Sequence, residues 1–286
     1  MGRMEDVENW VEKATVLYKK REFDPAEQLL DRALRIVPDH EDALLQLGLL
    51  YVSRGMGPQA LKRLQRAQRE CPESPGPYRA IATLIRISGH LEVGIRYFEG
   101  LLGSEGGSPF YVHLGLAELF AAQGRHAELK AQLDAIDFKA VPEPLTLALL
   151  LTEAADSAGL ARLADTVAEE PIRLTILGMA AEARGDLAAA SGSYFNASNL
   201  DNPPWIAHNA LAAMWLNSGN LDACRTYLSE AEKLAPNASE VQITRARYLA
   251  ARGKREEARG LLAKVGEGIG NFSKVRALAQ TLVRQV

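Results

Sequence analysis

Histidines and cysteines are the side chains of this sequence that could bind a metal ion, so their spacing is the first question. None of the five histidines has a second histidine or a cysteine at the spacing of a metal-ligand pair. The two cysteines are too few and too far apart for a disulfide framework or a zinc site. We therefore expect free thiols and no metal site. The residues concerned are His40, His90, His113, His126, His208, Cys71 and Cys224.

Two other groups of residues could take part in catalysis or cofactor binding. Gly266-Glu267-Gly268-Ile269-Gly270 is similar to a dinucleotide-binding loop, but it follows a helical pattern and lacks the strand that such a loop requires. The pair Glu169-Glu170 is more typical of a solvated helix end than of a general acid and base. No nucleophile elbow, phosphate-binding loop or zinc-protease motif occurs. We expect no catalytic residues, no cofactor and no enzyme activity.

The composition indicates which elements must position any functional residue. Of the 286 residues, 47% are hydrophobic and 24% are charged, as in a globular protein. Aromatic residues are only 6% and β-branched residues occur singly, which favours helices packed on helices. The longest apolar run, residues 145–151, is too short to cross a bilayer, and the first residues do not form a secretory signal. We expect a cytoplasmic protein without membrane insertion.

A glycine recurs at a nearly constant spacing along the chain. Its successive separations are 34, 35, 35, 26, 34 and 34 residues. Each glycine follows one apolar-periodic stretch and precedes another, and glycine can adopt the left-handed conformation that ends a helix. The pattern predicts a helix, a glycine turn and a second helix in each repeat. The glycines are Gly55, Gly89, Gly124, Gly159, Gly185, Gly219 and Gly253.

The same residue types surround these glycines, and the second repeat shows the pattern best. Its first helix has an apolar stripe at i, i+3, i+4 and i+7, its second helix has a facing stripe, and a proline ends it. The residues are Leu44, Leu47, Gly48, Tyr51, Gly55, Ala60, Leu64, Ala67 and Pro72. This pattern resembles the tetratricopeptide repeat, and the resemblance extends over nearly the whole chain. It implies a right-handed, all-α solenoid of about eight helix-turn-helix repeats with a C-terminal capping helix.

The repeats divide the sequence into segments. Residues 1–6 form a tail, residues 7–143 four repeats, residues 144–170 a short degenerate repeat, residues 171–272 three repeats and residues 273–286 the capping helix. The fifth repeat lacks residues, and we locate the loss in its second helix. A shortened helix predicts a kink between two arrays, unless that repeat simply packs more loosely.

In tetratricopeptide proteins generally, the first helix of each repeat lines a concave groove that binds peptide segments of partner proteins. The resemblance therefore implies a protein or peptide partner. It assigns the groove positions to Thr15, Tyr18, Leu45, Leu49, Val52, Arg79, Thr83, Arg86, Asn209, Leu216, Ile243 and Arg247.

Repeats two and three carry the most informative groove positions. Leu45, Leu49 and Val52 are apolar, so they either form an exposed contact patch or are buried by curvature of the solenoid. Arg79 and Arg86 could hold a partner carboxylate by paired hydrogen bonds. The Lys and Asn residues of the family's clamp for chaperone C-termini are absent, which disfavours a chaperone adaptor. The residues near those clamp positions are Glu8, Val11, Thr15, Gln46 and Gly76.

Charge is distributed unevenly along the chain. Residues 1–44 contain 11 acidic and 7 basic residues, whereas residues 245–286 contain 10 basic and 3 acidic residues. Opposite charge at the two ends could support head-to-tail self-association. Aromatic residues do not alternate with the basic ones, which disfavours nucleic-acid binding. Three hypotheses remain: a scaffold that binds peptide segments in the groove, a self-assembling structural protein, and the repeat half of a larger enzyme or secretion complex.

Overall fold

The computed structural model describes residues 2–103, 106–139, 141–267 and 272–285. Seventeen helices and no strand occupy these ranges, so the prediction of an all-α fold of paired helices is confirmed. None of the described helices combines the length and the apolar character that a membrane span requires. The helices are α1 (Gly2–Lys19), α2 (Phe23–Ile36), α3 (Glu41–Ser53), α4 (Gly57–Glu70), α5 (Pro75–Ser88), α6 (Leu91–Leu101), α7 (Pro109–Gln123), α8 (His126–Asp134), α9 (Pro144–Glu153), α10 (Ser157–Ala164), α11 (Glu170–Ala183), α12 (Leu187–Ser198), α13 (Trp205–Asn217), α14 (Leu221–Leu234), α15 (Ser239–Ala251), α16 (Arg255–Glu267) and α17 (Ser273–Gln285).

The chain forms two compact units, unit 1 (residues 1–119) and unit 2 (residues 120–286). Helices α1 to α6 belong to unit 1, helices α8 to α17 belong to unit 2, and the boundary falls within α7. Helix α1 begins at Gly2, ahead of residue 7, where the sequence places the first repeat. The predicted kink at residues 144–170 stays a prediction.

Left-handed residues form the turns between paired helices. Six of the seven predicted glycines have a positive φ, between 73° and 81°. In the first repeat, which lacks the glycine, Arg21 takes this conformation with φ 63°. A residue with a Cβ is strained in this conformation, so glycine is favoured at the turn. Its recurrence at one turn in most repeats accounts for the regular glycine spacing.

The fifth repeat departs from the predicted pattern of glycine turns. Its turn residue is Ala155, with φ 58°, whereas Gly159 lies inside α10. A Cβ on Gly159 would lie 2.7 Å from Leu151 Cδ2, so the glycine allows close approach of α9 and α10. Both helices are short, 10 and 8 residues against 13 and 14 for α3 and α4. Both helices of the fifth repeat are therefore shortened, and the prediction that the missing residues come from its second helix alone is wrong.

The helices of unit 1 pack through the predicted apolar stripes. Leu44 and Leu47 of α3 are buried, as are Ala60 and Leu64 of α4. Gly48 brings α3 close to its neighbours, because a Cβ there would lie 3.2 Å from Leu84 Cδ2 on α5 and 3.5 Å from Leu64 Cδ1. Each pair of helices thus buries its stripe against the next pair, as repeat architectures require.

A polar network joins α2, α3 and α4 at the edge of this core. The Tyr51 hydroxyl donates to Glu27 Oε1 at 2.5 Å, and Arg54 Nη1 donates to Glu27 Oε2 at 2.7 Å. Arg63 donates to the Tyr51 hydroxyl at 2.8 Å and to Asp31 Oδ1 at 2.6 Å. Because each acidic side chain here has a cationic partner, the first two repeats have complementary polar edges.

Two helix starts in the structure differ from what the local sequence pattern suggests. The pattern Asp24-Pro25 suggests a helix cap, but the N-cap of α2 is Glu22, and Asp24 instead pairs with Arg54. Ser239 and Gln242 have the spacing of a capping box, but Ser239 is the first residue of α15 and not its N-cap. The N-cap of α15 is Ala238, and Gln242 Nε2 donates to the Pro236 carbonyl. In both cases the side chain has a different partner, which sequence spacing cannot reveal.

Gln68 is the centre of a buried polar cluster in repeats two and three. Its Nε2 donates to the Tyr78 hydroxyl at 2.9 Å and to the Gly106 carbonyl at 2.6 Å, and its Oε1 accepts from the Tyr97 hydroxyl at 3.0 Å. Burial raises the pKa of Tyr97 to about 12. The Ser108 amide also donates to the Tyr78 hydroxyl. Gly106 and Ser108 are therefore anchored to this cluster, and α7 begins directly after them at Pro109.

The C-terminal helix α17 packs mainly on α16 and covers one end of unit 2. Ala279 is fully buried against Ile243, Ala246 and Leu262. Val275, Leu282 and Val283 are partly buried and pack against the same core. Leu278 does not belong to it and is 50% exposed.

Candidate functional site

The accessible face of α3 carries three predicted groove residues. Leu45, Leu49 and Val52 are each partly buried, while the residues between them, including Leu47 and Leu50, belong to the core. The sequence left two alternatives for these side chains, exposure or burial, and in the structure each of them is partly exposed. Part of each apolar side chain remains accessible to a ligand.

Helices α1 and α5 contribute the flanking positions. Thr15 Oγ1 donates to the Val11 carbonyl at 3.0 Å, and the hydroxyl groups of Tyr18 and Ser53 are hydrogen-bonded at 2.7 Å. Thr83 is partly buried on α5. We call these residues and the apolar residues of α3 the repeat 1–3 surface. It consists of Thr15, Tyr18, Leu45, Leu49, Val52 and Thr83.

The two predicted arginines already have partners within the chain. Arg79 Nη1 lies 3.1 Å from Glu41 Oε2, and Arg86 Nε lies 3.4 Å from Glu118 Oε2. Glu118 is only 7% exposed, so its negative charge needs a nearby cation. Both arginines therefore form ion pairs that hold helices of the chain together. The sequence spacing did not indicate these pairs, because the carboxylates lie on other helices.

The predicted groove positions of unit 2 differ from those of unit 1. Asn209 and Leu216 are partly buried on α13. Arg247 Nη2 donates to Asn217 Oδ1 at 2.5 Å. Ile243 is only 5% exposed and belongs to the core that α17 covers, so it is not a surface residue. The repeat pattern could not show this burial, because the covering helix is not part of the repeat.

An apolar cavity of about 490 Å³ adjoins Val52 at the turn end of repeats two and three. Sequence reasoning did not identify it, because its walls come from four helices. Gly57 leaves space there, whereas Leu187 occupies the position that corresponds to it in repeat six. That repeat has a smaller cavity of about 330 Å³, beside Leu187 and Trp215. The larger cavity is lined by Val52, Gly55, Gly57, Pro58, Leu61, Leu84, Ile85, Ser88, His90 and Val93.

Many charged residues that could attract a partner are already paired. On α4, Arg66 Nε lies 2.7 Å from Glu70 Oε1. Near the basic C-terminal end, Lys254 lies 3.1 Å from Glu257, and Arg259 lies 2.9 Å from Glu256. Exposed pairs of this kind are weak and are screened by salt. Self-association through the charged ends stays a hypothesis.

The histidines and cysteines lie apart in the fold. His40 Nδ1 accepts the Ala43 amide and caps α3, and His208 is buried on α13. Burial raises the pKa of the Cys224 thiol to about 11. Across the described ranges, no three His, Cys, Asp or Glu side chains come together as metal ligands would. Gly266 lies in the last turn of α16 against Gln280, and residues 268–270 of the glycine motif lie outside the described residues.

Comparisons with known proteins identify the repeat. The tetratricopeptide repeat model matches residues 17–85. A solved tetratricopeptide repeat protein from Parabacteroides merdae is 16% identical over 98% of this chain and 99% of its own, with a TM-score of 0.44. The APC/C hetero-tetramer Cut9–Hcn1 contains a chain that is 17% identical over 96% of this chain and 54% of its own, with a TM-score of 0.48. A search of curated proteins found no match. The match thus identifies tetratricopeptide repeats within residues 17–85.

Proposed function

We propose that the chain is a non-catalytic scaffold that binds an extended or helical segment of a partner protein on the repeat 1–3 surface. Tetratricopeptide repeats generally serve as protein-interaction scaffolds, and the family match includes the helices that carry Tyr18, Leu45, Leu49, Val52 and Thr83. The identity of the partner is left open, but its binding segment contains apolar side chains.

One observation carries this proposal: the partly accessible apolar row on α3 continues into an apolar cavity. Val52 belongs to both, so the row and the cavity form one apolar surface. Pockets of a few hundred Å³ with mainly apolar walls are typical ligand sites, and contiguous apolar patches mark contact surfaces. Arg79 and Arg86 stabilise the surrounding helices through Glu41 and Glu118.

The test replaces the central residue of the row. Leu49→Glu places a charge where an apolar partner side chain would be buried, and an unpaired charge at such a contact is strongly unfavourable. We expect capture of the partner from extracts of the source cells, quantified by mass spectrometry, to fall at least about tenfold. Leu45→Gln, a milder change on the same face, should weaken capture in the same direction.

The matched control is Ile36→Glu. Ile36 is an apolar residue of α2 that is 46% exposed and lies outside the repeat 1–3 surface. This variant should capture the same proteins as the wild type, and all three variants should keep the wild-type helicity and melting temperature. If Leu49→Glu captures an unchanged set of proteins while remaining folded, the proposal is wrong.

A further inference from the structure

The first turn of α17 contacts residues that precede it by more than one hundred positions. Ser273 Oγ donates to Glu153 Oε1 at 2.9 Å, and the Lys274 amide donates to the same oxygen at 3.0 Å. The first amides of a helix have no partner within the helix, and a carboxylate stabilises them by hydrogen bonding and by charge. Glu153, the last residue of α9, thus acts as the cap of α17.

A second contact secures the same turn. Arg276 Nη2 donates to the Ala122 carbonyl at 2.8 Å, near the end of α7. That carbonyl is one of the last in its helix, where a cation is favourable. Gly124, the next turn residue, approaches Ser273 so closely that an added Cβ would lie 3.3 Å from Ser273 Oγ. The first turn of α17 therefore lies against the ends of two helices, α7 and α9.

The carboxylate that caps α17 lies in an acidic, buried environment. Glu153 is only 4% exposed. Burial raises the pKa of Glu240, in the first turn of α15, and the negative charge of Glu153 adds to this increase. A buried carboxylate without hydrogen-bond donors would be costly, so the donors on Ser273 and Lys274 offset the cost of burying Glu153.

The apolar contribution to this docking is small for a helix of 13 residues. Ala279 is its only fully buried side chain among those described, and Val275, Leu282 and Val283 are partly buried. Elements with few buried apolar contacts open at a lower free energy than the core of the domain. The polar contacts of the first turn therefore have a large share in keeping α17 in place.

We propose that α17 is a removable clasp, which covers a binding surface formed by Ala122, Glu153 and the Ile243 face of α15 until a partner helix displaces it. This proposal rests on the proposed scaffold function and adds a second, regulated surface in unit 2. The partner helix has the chemistry of the segment it replaces. It presents a hydroxyl residue at its start, an arginine three positions later and a small residue a further three positions on, as do Ser273, Arg276 and Ala279.

Hydrogen exchange on the full chain tests whether α17 can be released. In Glu153→Ala the acceptor for two donors is lost, and we expect amides of residues 273–285 to exchange at least about tenfold faster than in the wild type. Amides of α11 to α14 should be unchanged. Glu153→Gln keeps one acceptor oxygen and should give a smaller increase.

The matched control for this experiment is Glu169→Ala, at the exposed N-cap of α11 in the same unit. It should leave the exchange of α17 unchanged. An unchanged rate for α17 in Glu153→Ala overturns the proposal. So does a variant in which all of unit 2 exchanges faster together, because α17 would then be an integral part of the core.

A peptide tests whether the covered surface accepts a helix from outside. A labelled synthetic peptide of residues 272–285 is titrated onto the full wild-type chain and onto full-length Arg276→Glu, whose new carboxylate faces the Ala122 carbonyl and weakens the clasp while leaving its docking surface intact. We expect at least about tenfold tighter binding to the variant than to the wild type, and none by a scrambled peptide. Equal binding to both chains, or no binding to either, overturns the proposal. Neither readout involves Leu49, so failure of the proposed function is distinguishable from failure of the clasp.

Discussion

His208 is a buried histidine of α13 whose ring lies 6.3 Å from that of Tyr227. Burial lowers its pKa, and the negative charge of Glu230 partly opposes this decrease. In the folded protein the neutral ring is therefore favoured, whereas the unfolded chain takes up a proton near pH 6.5. This buried ring is a packing residue of repeat seven.

The pH dependence of stability follows from that lowered pKa. The contribution of neutral His208 is fully present above about pH 6.5 and is lost as the pH falls toward the folded-state pKa, because only the unfolded chain binds the proton. His208→Gln cannot take up this proton, so its free energy of unfolding should fall less than that of the wild type between about pH 7 and 5. Urea unfolding at a series of pH values measures this. His126→Gln, at an exposed position, should follow the wild type, and parallel curves for wild type and His208→Gln would refute the prediction.

Paired helices owe their close contact to particular glycines. In repeat six, a Cβ on Gly178 would lie 2.6 Å from two ring atoms of Tyr194. The ring cannot move away easily, because its hydroxyl donates to Glu182 Oε2 at 2.8 Å. Gly192, on the exposed side of α12, would meet nothing within 4 Å. Two glycines in one helix pair thus have opposite structural roles.

Substitution of these two glycines should change stability in opposite directions. Gly178→Ala forces the helices apart, and overpacking of this kind costs about 1–3 kcal/mol. Gly192→Ala has no steric cost and should raise the free energy of unfolding by about 0.5–1 kcal/mol, because alanine restricts the unfolded chain and favours the helix. Guanidinium unfolding of both variants provides the measurement. A stabilised Gly178→Ala would contradict the assigned packing of α11 against α12.

At the scale of the whole molecule, most of the described helices pack on their neighbours in sequence or on the next helix but one, as α3 does on α5. Stability in such an array depends on local interfaces. A destabilising substitution should therefore affect its own repeat and the adjacent repeats more than distant ones. Leu64 in unit 1 and Leu262 in unit 2 are both buried core residues. They provide a matched pair for testing how far the effect of one cavity reaches.

We expect each of these leucines to stabilise mainly the unit in which it lies. Leu64→Ala should cost about 2–5 kcal/mol and accelerate amide exchange in α2 to α5, with α13 to α16 unchanged. Leu262→Ala should give the reverse pattern. Uniform acceleration across both units in either variant would show that the chain unfolds as a single cooperative body.

The sequence by itself determined the helical pairs, their period and most of their turns. These follow from local rules: an apolar stripe at helical spacing, a glycine that tolerates positive φ, and a proline after the second helix, as at Gly55 and Pro72. The family match over residues 17–85 falls where that pattern is most regular.

Only the tertiary structure decided which side chains are partners and which surfaces are covered. The turn at Ala155, the pairing of Arg86 with Glu118 and the burial of Ile243 depend on neighbouring helices. The contact of Glu153 with Ser273 joins residues 120 positions apart. A repeat pattern contains information about helix spacing and faces, but contacts of this range depend on how successive small rotations between repeats add up, and no single repeat specifies that sum.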